Sequence, residues 1–207
     1  MLRTEFLPAR LEGSRSLLVA LHGLGDSAAG YRWLPQALGL PWMNYLLVNA
    51  PDPYFGGYSW YDFSGDARTG IERSRRLLLD LLEQQRAGGW PPEETVLLGF
   101  SQGCLMTVDV GFRAPHRLAG LVGISGYVHD PDELLRDRSP MAGDQRMLFT
   151  HGTQDPLIPH DAVRGQVRQL QGAGLSIEWR EFPKAHTIVE EEVDVIREFV
   201  AAGRARR

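Results

Sequence analysis

Residues Gly99–Phe100–Ser101–Gln102–Gly103 constrain this chain more than any other five. The run before them, Glu94–Thr95–Val96–Leu97–Leu98, is short, apolar and β-branched, as a buried strand is. The run after them, Cys104–Leu105–Met106–Thr107–Val108–Asp109–Val110, suits a helix packed beneath that strand. A Gly-x-Ser-x-Gly at a strand-to-helix junction forms a turn so tight that only glycine fits two residues either side of the serine, and it lifts the hydroxyl above the sheet. The helix that starts there aims free amides at any negative charge forming beside the serine. Taken alone, the pentapeptide describes an ordinary glycine-bracketed turn equally well, so its meaning depends on what else the chain supplies.

A serine hydroxyl is a poor nucleophile until an oriented base takes its proton. On this kind of sheet the partners follow in the order Ser, Asp/Glu, His. Met147–Leu148–Phe149–Thr150 reads as a strand, and His151–Gly152–Thr153–Gln154–Asp155–Pro156–Leu157–Ile158–Pro159 is the loop leaving its end. Asp155 precedes a proline, which biases it away from helix and into an extended turn. Ile177–Glu178–Trp179–Arg180–Glu181–Phe182 alternates apolar and polar like a strand and leads into Pro183–Lys184–Ala185–His186–Thr187. Ser101, Asp155 and His186 therefore lie just past the ends of three strands, at the rim where open parallel sheets build sites. Of the other histidines, His22 and His151 each precede glycine at a strand end and read as supports of neighbouring loops. His116 and His160 sit beside prolines in surface-like contexts, and His129 lies in a polar stretch. Asp130 and Asp132 are the fallback acids, on a loop that follows an earlier strand.

Acyl chemistry at such a serine also needs an oxyanion hole of about two amide donors, each roughly 2.7–3.1 Å from the developing charge. Ser16–Leu17–Leu18–Val19–Ala20–Leu21 is a buried strand by composition, followed by His22–Gly23–Leu24–Gly25–Asp26. The glycines flanking Leu24 let the backbone turn an N–H inward. The amides of Leu24 and Gln102 are the natural pair. A phosphate-cradling glycine turn is the competing reading of this loop, and no Gly-x-Gly-x-x-Gly or Walker pattern accompanies it.

Strand and helix alternate along the remainder without repeats, low-complexity segments or a long linker. Helices are expected near Ala28–Leu38, Thr69–Arg86, Gln102–Phe112, His160–Gln171 and Ile188–Ala202, with Gly88–Gly89–Trp90–Pro91–Pro92 and Gly172–Ala173–Gly174 as stops. The 207 residues, 43% of them hydrophobic, suit one core, so residues 1–207 are expected to form one domain, with little left over for a lid and an open, shallow site. A net charge of −4 argues against nucleic acid as a partner. Arg73, Arg75 and Arg76 fall on a helix opened by a Thr69–Glu72 capping box and read as a solvated face; Arg204–Ala205–Arg206–Arg207 reads as a frayed tail. Glu190–Glu191–Glu192 fits the first turn of the last helix, where the macrodipole favours acids. The single cysteine, Cys104, excludes an internal disulfide and reads as a small buried residue. No signal peptide, membrane-spanning run or clustered Cys/His metal set is visible, so a cytoplasmic protein with no metal is the expectation. Phe55, Trp60, Tyr127, Leu157 and Ile158, on the intervening loops, are candidates for the wall of an acyl pocket.

The blocks His22–Gly23–Leu24–Gly25–Asp26, Gly99–Phe100–Ser101–Gln102–Gly103, His151–Gly152–Thr153–Gln154–Asp155–Pro156–Leu157–Ile158–Pro159 and Ala185–His186–Thr187–Ile188 together resemble the signatures of one family. It is the phospholipase/carboxylesterase group of α/β-hydrolases, which includes the acyl-protein thioesterases. Asn49–Ala50–Pro51, Trp60–Tyr61–Asp62 and Leu121–Val122–Gly123–Ile124–Ser125–Gly126–Tyr127 resemble further blocks, so the resemblance covers nearly the whole chain. It implies an α/β-hydrolase fold: a mostly parallel central sheet with helices on both faces and no large lid domain. It also implies a Ser101–Asp155–His186 triad, oxyanion donors at Leu24 and Gln102, hydrolysis of carboxylic esters or thioesters, no cofactor, and frequent assembly as a homodimer. Two departures stand out. The segment between Pro51 and Trp60 is short and lacks the family's Pro-Val-Thr, which tilts the expectation towards short-to-medium acyl groups rather than long ones; and Ala185 replaces the glycine usual before the histidine. An acyl-protein thioesterase or lysophospholipase acting on long acyl chains is the alternative, and a peptidase or amidase and a non-catalytic hydrolase-fold binding module are the other classes that the same set of residues admits.

Overall fold

Continuous apolar runs of four to seven residues are buried on both sides only if helices cover both faces of a parallel sheet, and that is the arrangement found. The computed structural model describes residues 1–205. Strands β2 (Leu17–Leu21), β3 (Asn44–Val48), β6 (Thr95–Phe100), β7 (Gly120–Ile124), β8 (Arg146–Gly152) and β9 (Ser176–Phe182) run parallel, and β1 (Thr4–Leu7) pairs antiparallel with β3 at one edge. The order is β1-β3-β2-β6-β7-β8-β9. A short hairpin, β4 (Asp52–Tyr54) with β5 (Gly57–Ser59), stands apart from that sheet.

The two-residue period of each strand divides its side chains between two cores. Val19, Leu97, Leu121 and Met147 face one layer, packed against α2 (Ala67–Ala87), α3 (Gln102–Arg113), α4 (Pro131–Asp137) and α5 (His160–Gly172) through Ile71, Leu78, Leu105, Val108, Leu134, Val163 and Val167. Leu18, Leu98, Val122 and Leu148 face the other, against α1 (Leu34–Leu38) and α6 (Glu190–Ala205) through Leu34, Leu38, Ile196 and Val200. Among the described residues no helix is long and apolar enough to cross a membrane.

Several local expectations are corrected. The helix expected over 28–38 is broken into a 3₁₀ turn, Ala28–Tyr31, and the five-residue α1, which Pro35 starts and Gly39 (φ +59°) stops. Helix α2 begins a turn before the Thr69–Glu72 capping box, because the Asp66 carboxylate accepts the amide of Thr69 (3.2 Å) and is the better cap. Arg75 is no solvated cation: it pairs at two points with Asp109 of α3 (2.5 and 3.1 Å), and Arg113 joins Asp109 to Glu133 of α4. Arg73 bonds Asp52. Arg204 lies 4.5 Å from the centre of the Trp42 ring, inside the last turn of α6 and not in a frayed tail; Arg206 and Arg207 lie outside the described residues. The fallback acids are otherwise engaged, Asp130 as the cap of α4 (2.9 Å to the Glu133 amide) and Asp132 with Gln169 (2.6 Å).

Candidate active site

The parallel order brings the ends of β2, β6, β8 and β9 to one rim of the sheet, with β7 between β6 and β8, and each of the four contributes one piece of the site. At the end of β6 the chain turns into α3 within one residue. Ser101 sits at φ +55°, ψ −116°, a backbone conformation that L side chains rarely adopt. Both flanking glycines are required sterically: a Cβ on Gly99 would lie 2.1 Å from the carbonyl oxygen of Gly103, and one on Gly103 would lie 2.2 Å from that of Leu21. The strained turn is held from behind by the Ser101 amide, which donates to Ile124 O (2.9 Å).

The Ser101 hydroxyl lies 2.9 Å from Nε2 of His186, in the turn after β9, and Nδ1 of that ring lies 2.7 Å from Oδ2 of Asp155, in the loop after β8. The Asp155 side chain is entirely out of water, with Oδ1 accepting from the amides of Leu157 (2.9 Å) and Ile158 (3.0 Å). Burial alone would push this carboxyl up. The hydrogen bonds from His186, Ile158 and Leu157 outweigh it and hold the carboxyl below its ordinary value. A carboxylate so held accepts from Nδ1–H, which leaves Nε2 unprotonated towards Ser101. The Phe100 ring, 4.9 Å from the imidazole, covers one side of it.

His22 and His151 brace the loops. Nδ1 of His22 donates to Gly23 O (2.6 Å) while Nε2 accepts from the Ala50 amide (3.0 Å), so the ring is neutral; burial lowers its basicity. Nε2 of His151 donates to Ile158 O (3.0 Å) and sits 3.8 Å from Asp155, and burial likewise pushes it down. The Gln102 side chain does work that the sequence did not signal. Its Oε1 accepts from the Trp60 amide (3.0 Å) and Ser59 (3.2 Å), and its Nε2 donates to Tyr61 O (3.0 Å), which fastens the start of α3 to the segment after β5.

A cavity of about 360 Å³ opens over Ser101 and is bordered by Leu24, Gln102, Tyr127, Leu157, Ile158 and His186, all sequence candidates. As the first residue of α3, Gln102 has an amide with no intrahelical partner. Two other candidates lie elsewhere. Trp60 is fully buried, its indole donating to His22 O (2.9 Å), so it supports the wall from behind; Phe55 is 95% exposed at the tip of the β4–β5 turn and lines a separate surface groove. In their place the cavity has Tyr61, Phe63 and Phe100. Phe100, inside the pentapeptide, was findable as the neighbour of the serine. Tyr61 and Phe63 carry no signal that separates them from Trp60.

Similarity to known proteins points the same way. The profile of the phospholipase/carboxylesterase family matches residues 8–203. Among curated proteins, the acyl-protein thioesterase 1 of Yarrowia lipolytica is 32% identical over 172 residues, 75% of each chain, and that of Schizosaccharomyces pombe is 30% identical over 159 residues, 69% of each. Among solved structures, esterase PE8 superposes with a TM-score of 0.88 at 28% identity, covering 97% of this chain and 98% of that one.

Proposed function

The chain belongs to the phospholipase/carboxylesterase family of α/β-hydrolases, and from that footing we propose that Ser101, Asp155 and His186 hydrolyse carboxylic esters or thioesters through an acyl-enzyme. The enzyme is a serine hydrolase. The observation that carries the residue assignment is the unbroken chain of contacts from Ser101 Oγ through His186 to the buried Asp155.

In the first half-reaction Oγ attacks the acyl carbon and its proton passes to Nε2 of His186. The carbonyl electron pair moves onto oxygen, where the amides of Leu24 and Gln102 receive the charge. Asp155 stays ionised, holds the imidazole in the Nδ1–H tautomer and stabilises the imidazolium. The oxyanion then collapses, the bond to the alcohol or thiol breaks, and the leaving group takes the proton from Nε2. Water repeats the sequence on the acyl-enzyme, with His186 again accepting its proton. The acid leaves and the serine hydroxyl is restored.

The cavity favours short-to-medium acyl groups: about 360 Å³ is near the small end of ligand sites, which run from roughly 300 to 1,000 Å³. Tyr127, Leu157 and Ile158 supply apolar wall, and exposed Phe63 marks the side on which a longer chain would lie. We place the enzyme in the cytoplasm, which cell fractionation tests, and read it as a homodimer, which light scattering tests. The direct test is p-nitrophenol release from p-nitrophenyl esters of increasing chain length, wild type against Ser101→Ala. Serine-dependent turnover greatest at butyrate or hexanoate is expected. Turnover retained by Ser101→Ala overturns the mechanism, and a maximum at palmitate overturns the chain-length assignment.

A further inference from the structure

Lys184 is the only lysine in a chain that has 21 arginines. It stands two residues before His186, yet its side chain is only 2% exposed. Nζ donates to Ser125 Oγ (3.0 Å), to Thr187 O (2.7 Å) and to the Glu192 carboxylate (2.7 and 2.6 Å), whose side chain is fully out of water. Three acceptor groups converging on one point match the three N–H bonds of an ammonium. A planar guanidinium with its donors spread along a fork does not. That geometry explains a lysine at the one place where it occurs.

The backbone of the same residue extends the connection. Lys184 O accepts the amide of Gln154 (3.1 Å), the neighbour of Asp155, and lies so close to Gly152 that a Cβ there would come within 2.3 Å of it. Thr187, whose carbonyl the ammonium binds, adjoins His186. Ser125 follows Ile124, whose carbonyl takes the Ser101 amide, and Gly126 presses so closely on the serine turn that a Cβ would lie 2.8 Å from Ser101 O. One residue thus touches the segments that carry Asp155 and His186 and, through Ser125, the segment that backs the Ser101 turn.

We propose that Lys184, anchored by Glu192 and Ser125, is a positioning residue that holds the His186 turn in register with Asp155 and Ser101. The proposal rests on those three as the reacting set. Lys184 hydrogen-bonds none of their side chains; what it holds is the backbone turns that carry them. Net stability is a weak reason for such a pair, since apolar residues of similar volume commonly serve a fold as well or better. Proton transfer is different: a displacement of about 1 Å costs on the order of a hundredfold in rate.

The test compares Lys184→Met/Glu192→Leu, which removes both charges together, with Ser125→Ala, which removes one acceptor and keeps the ion pair. Active sites are titrated with a fluorophosphonate, and kcat and KM are measured per titrated site on p-nitrophenyl butyrate. The double variant is expected to titrate at one site per chain with unchanged KM and a kcat down about 10- to 100-fold; Ser125→Ala should lose several-fold. A wild-type kcat per titrated site in the double variant, or in Ser125→Ala should the double variant not fold, overturns the proposal. So does a loss that matches the fraction of sites no longer titrated, because that is a purely structural role. Ser101→Ala is assayed alongside: turnover surviving there overturns the reading of the site itself, whereas an inactive Ser101→Ala beside a fully active double variant overturns the role of Lys184 alone.

Discussion

Asp155 meets His186 with one oxygen only: Oδ2 lies 2.7 Å from Nδ1, while Oδ1 is taken by the amides of Leu157 and Ile158. The carboxylate cannot turn, so it selects the imidazole tautomer. Asp155→Asn would keep a carbonyl oxygen for the two amides and present an NH₂ to His186, favouring the wrong tautomer. kcat is expected to fall by about 10⁴-fold, the loss the same change causes in a serine-protease triad, with KM and the thermal midpoint little changed. Steady-state kinetics on p-nitrophenyl butyrate check it.

The buried imidazoles set the acid side of stability. His22 and His151 are lowered by burial, so between their folded values and about pH 6.5 the unfolded chain binds more protons than the folded one. Their contribution is complete above about pH 6.5 and is lost as pH falls through that window. His160 has the opposite sign, raised by Asp161 and Glu181, so its contribution is complete at low pH and lost as pH rises through its folded value. It lies nearer the surface and weighs less. The carboxyl of Asp155, held low, adds a second loss only below about pH 4. The thermal midpoint should drop between pH 7 and 5, and His22→Gln should flatten that drop. A midpoint that rises over the same interval contradicts the assignment.

Two glycine substitutions should behave oppositely. Gly103→Ala forces a Cβ to 2.2 Å from Leu21 O and 2.7 Å from His22 O, both backbone atoms, and should cost more than about 3 kcal/mol or abolish folding. Gly165→Ala, within α5 and with open space at the added carbon, should stabilise by about 0.5–1 kcal/mol. Urea unfolding of both variants decides it.

Arg75 and Arg86 sit on the same helix and differ in their surroundings. Arg75→Met leaves the mostly buried Asp109 with one cation fewer and is expected to cost about 1–3 kcal/mol, less than an orphaned charge because Arg113 stays. Arg86 forms an exposed pair with Glu83, and Arg86→Met should change stability by less than about 0.5 kcal/mol. Chemical denaturation of the two variants checks the contrast.

The convergence of Ser101, Asp155 and His186 was legible because each lies in a short segment with its own signature: a strand, a turn, then a helix. The parallel sheet followed from the apolar runs that feed those turns. What depends on partners distant in sequence was hidden. Lys184 and Glu192 are eight residues apart across a turn and a helix start, so the acidic run looked fully explained by the helix dipole. Arg75 finds Asp109 on another helix, and nothing local marks it as buried. Strands β1 and β3 escaped notice because a four-residue edge strand alternates too briefly and β3 follows a proline-broken helix. For Phe55 and Trp60, residue type was right for a pocket wall and position was wrong, since aromatic character does not say which side of a loop a ring takes.

The serine turn, the loop after β2 and the turns after β8 and β9 all leave the same end of the sheet. The connections at the other end, 88–94, 114–119 and 172–175, lie across the sheet from Ser101, Asp155 and His186. Gly89 and Gly174, with open space where a side chain would go, mark two of them. Descendants of this chain are free to lengthen, shorten or tether those connections, so that a partner domain or a solid support attached there would leave the mouth of the cavity facing outward and its reactivity intact.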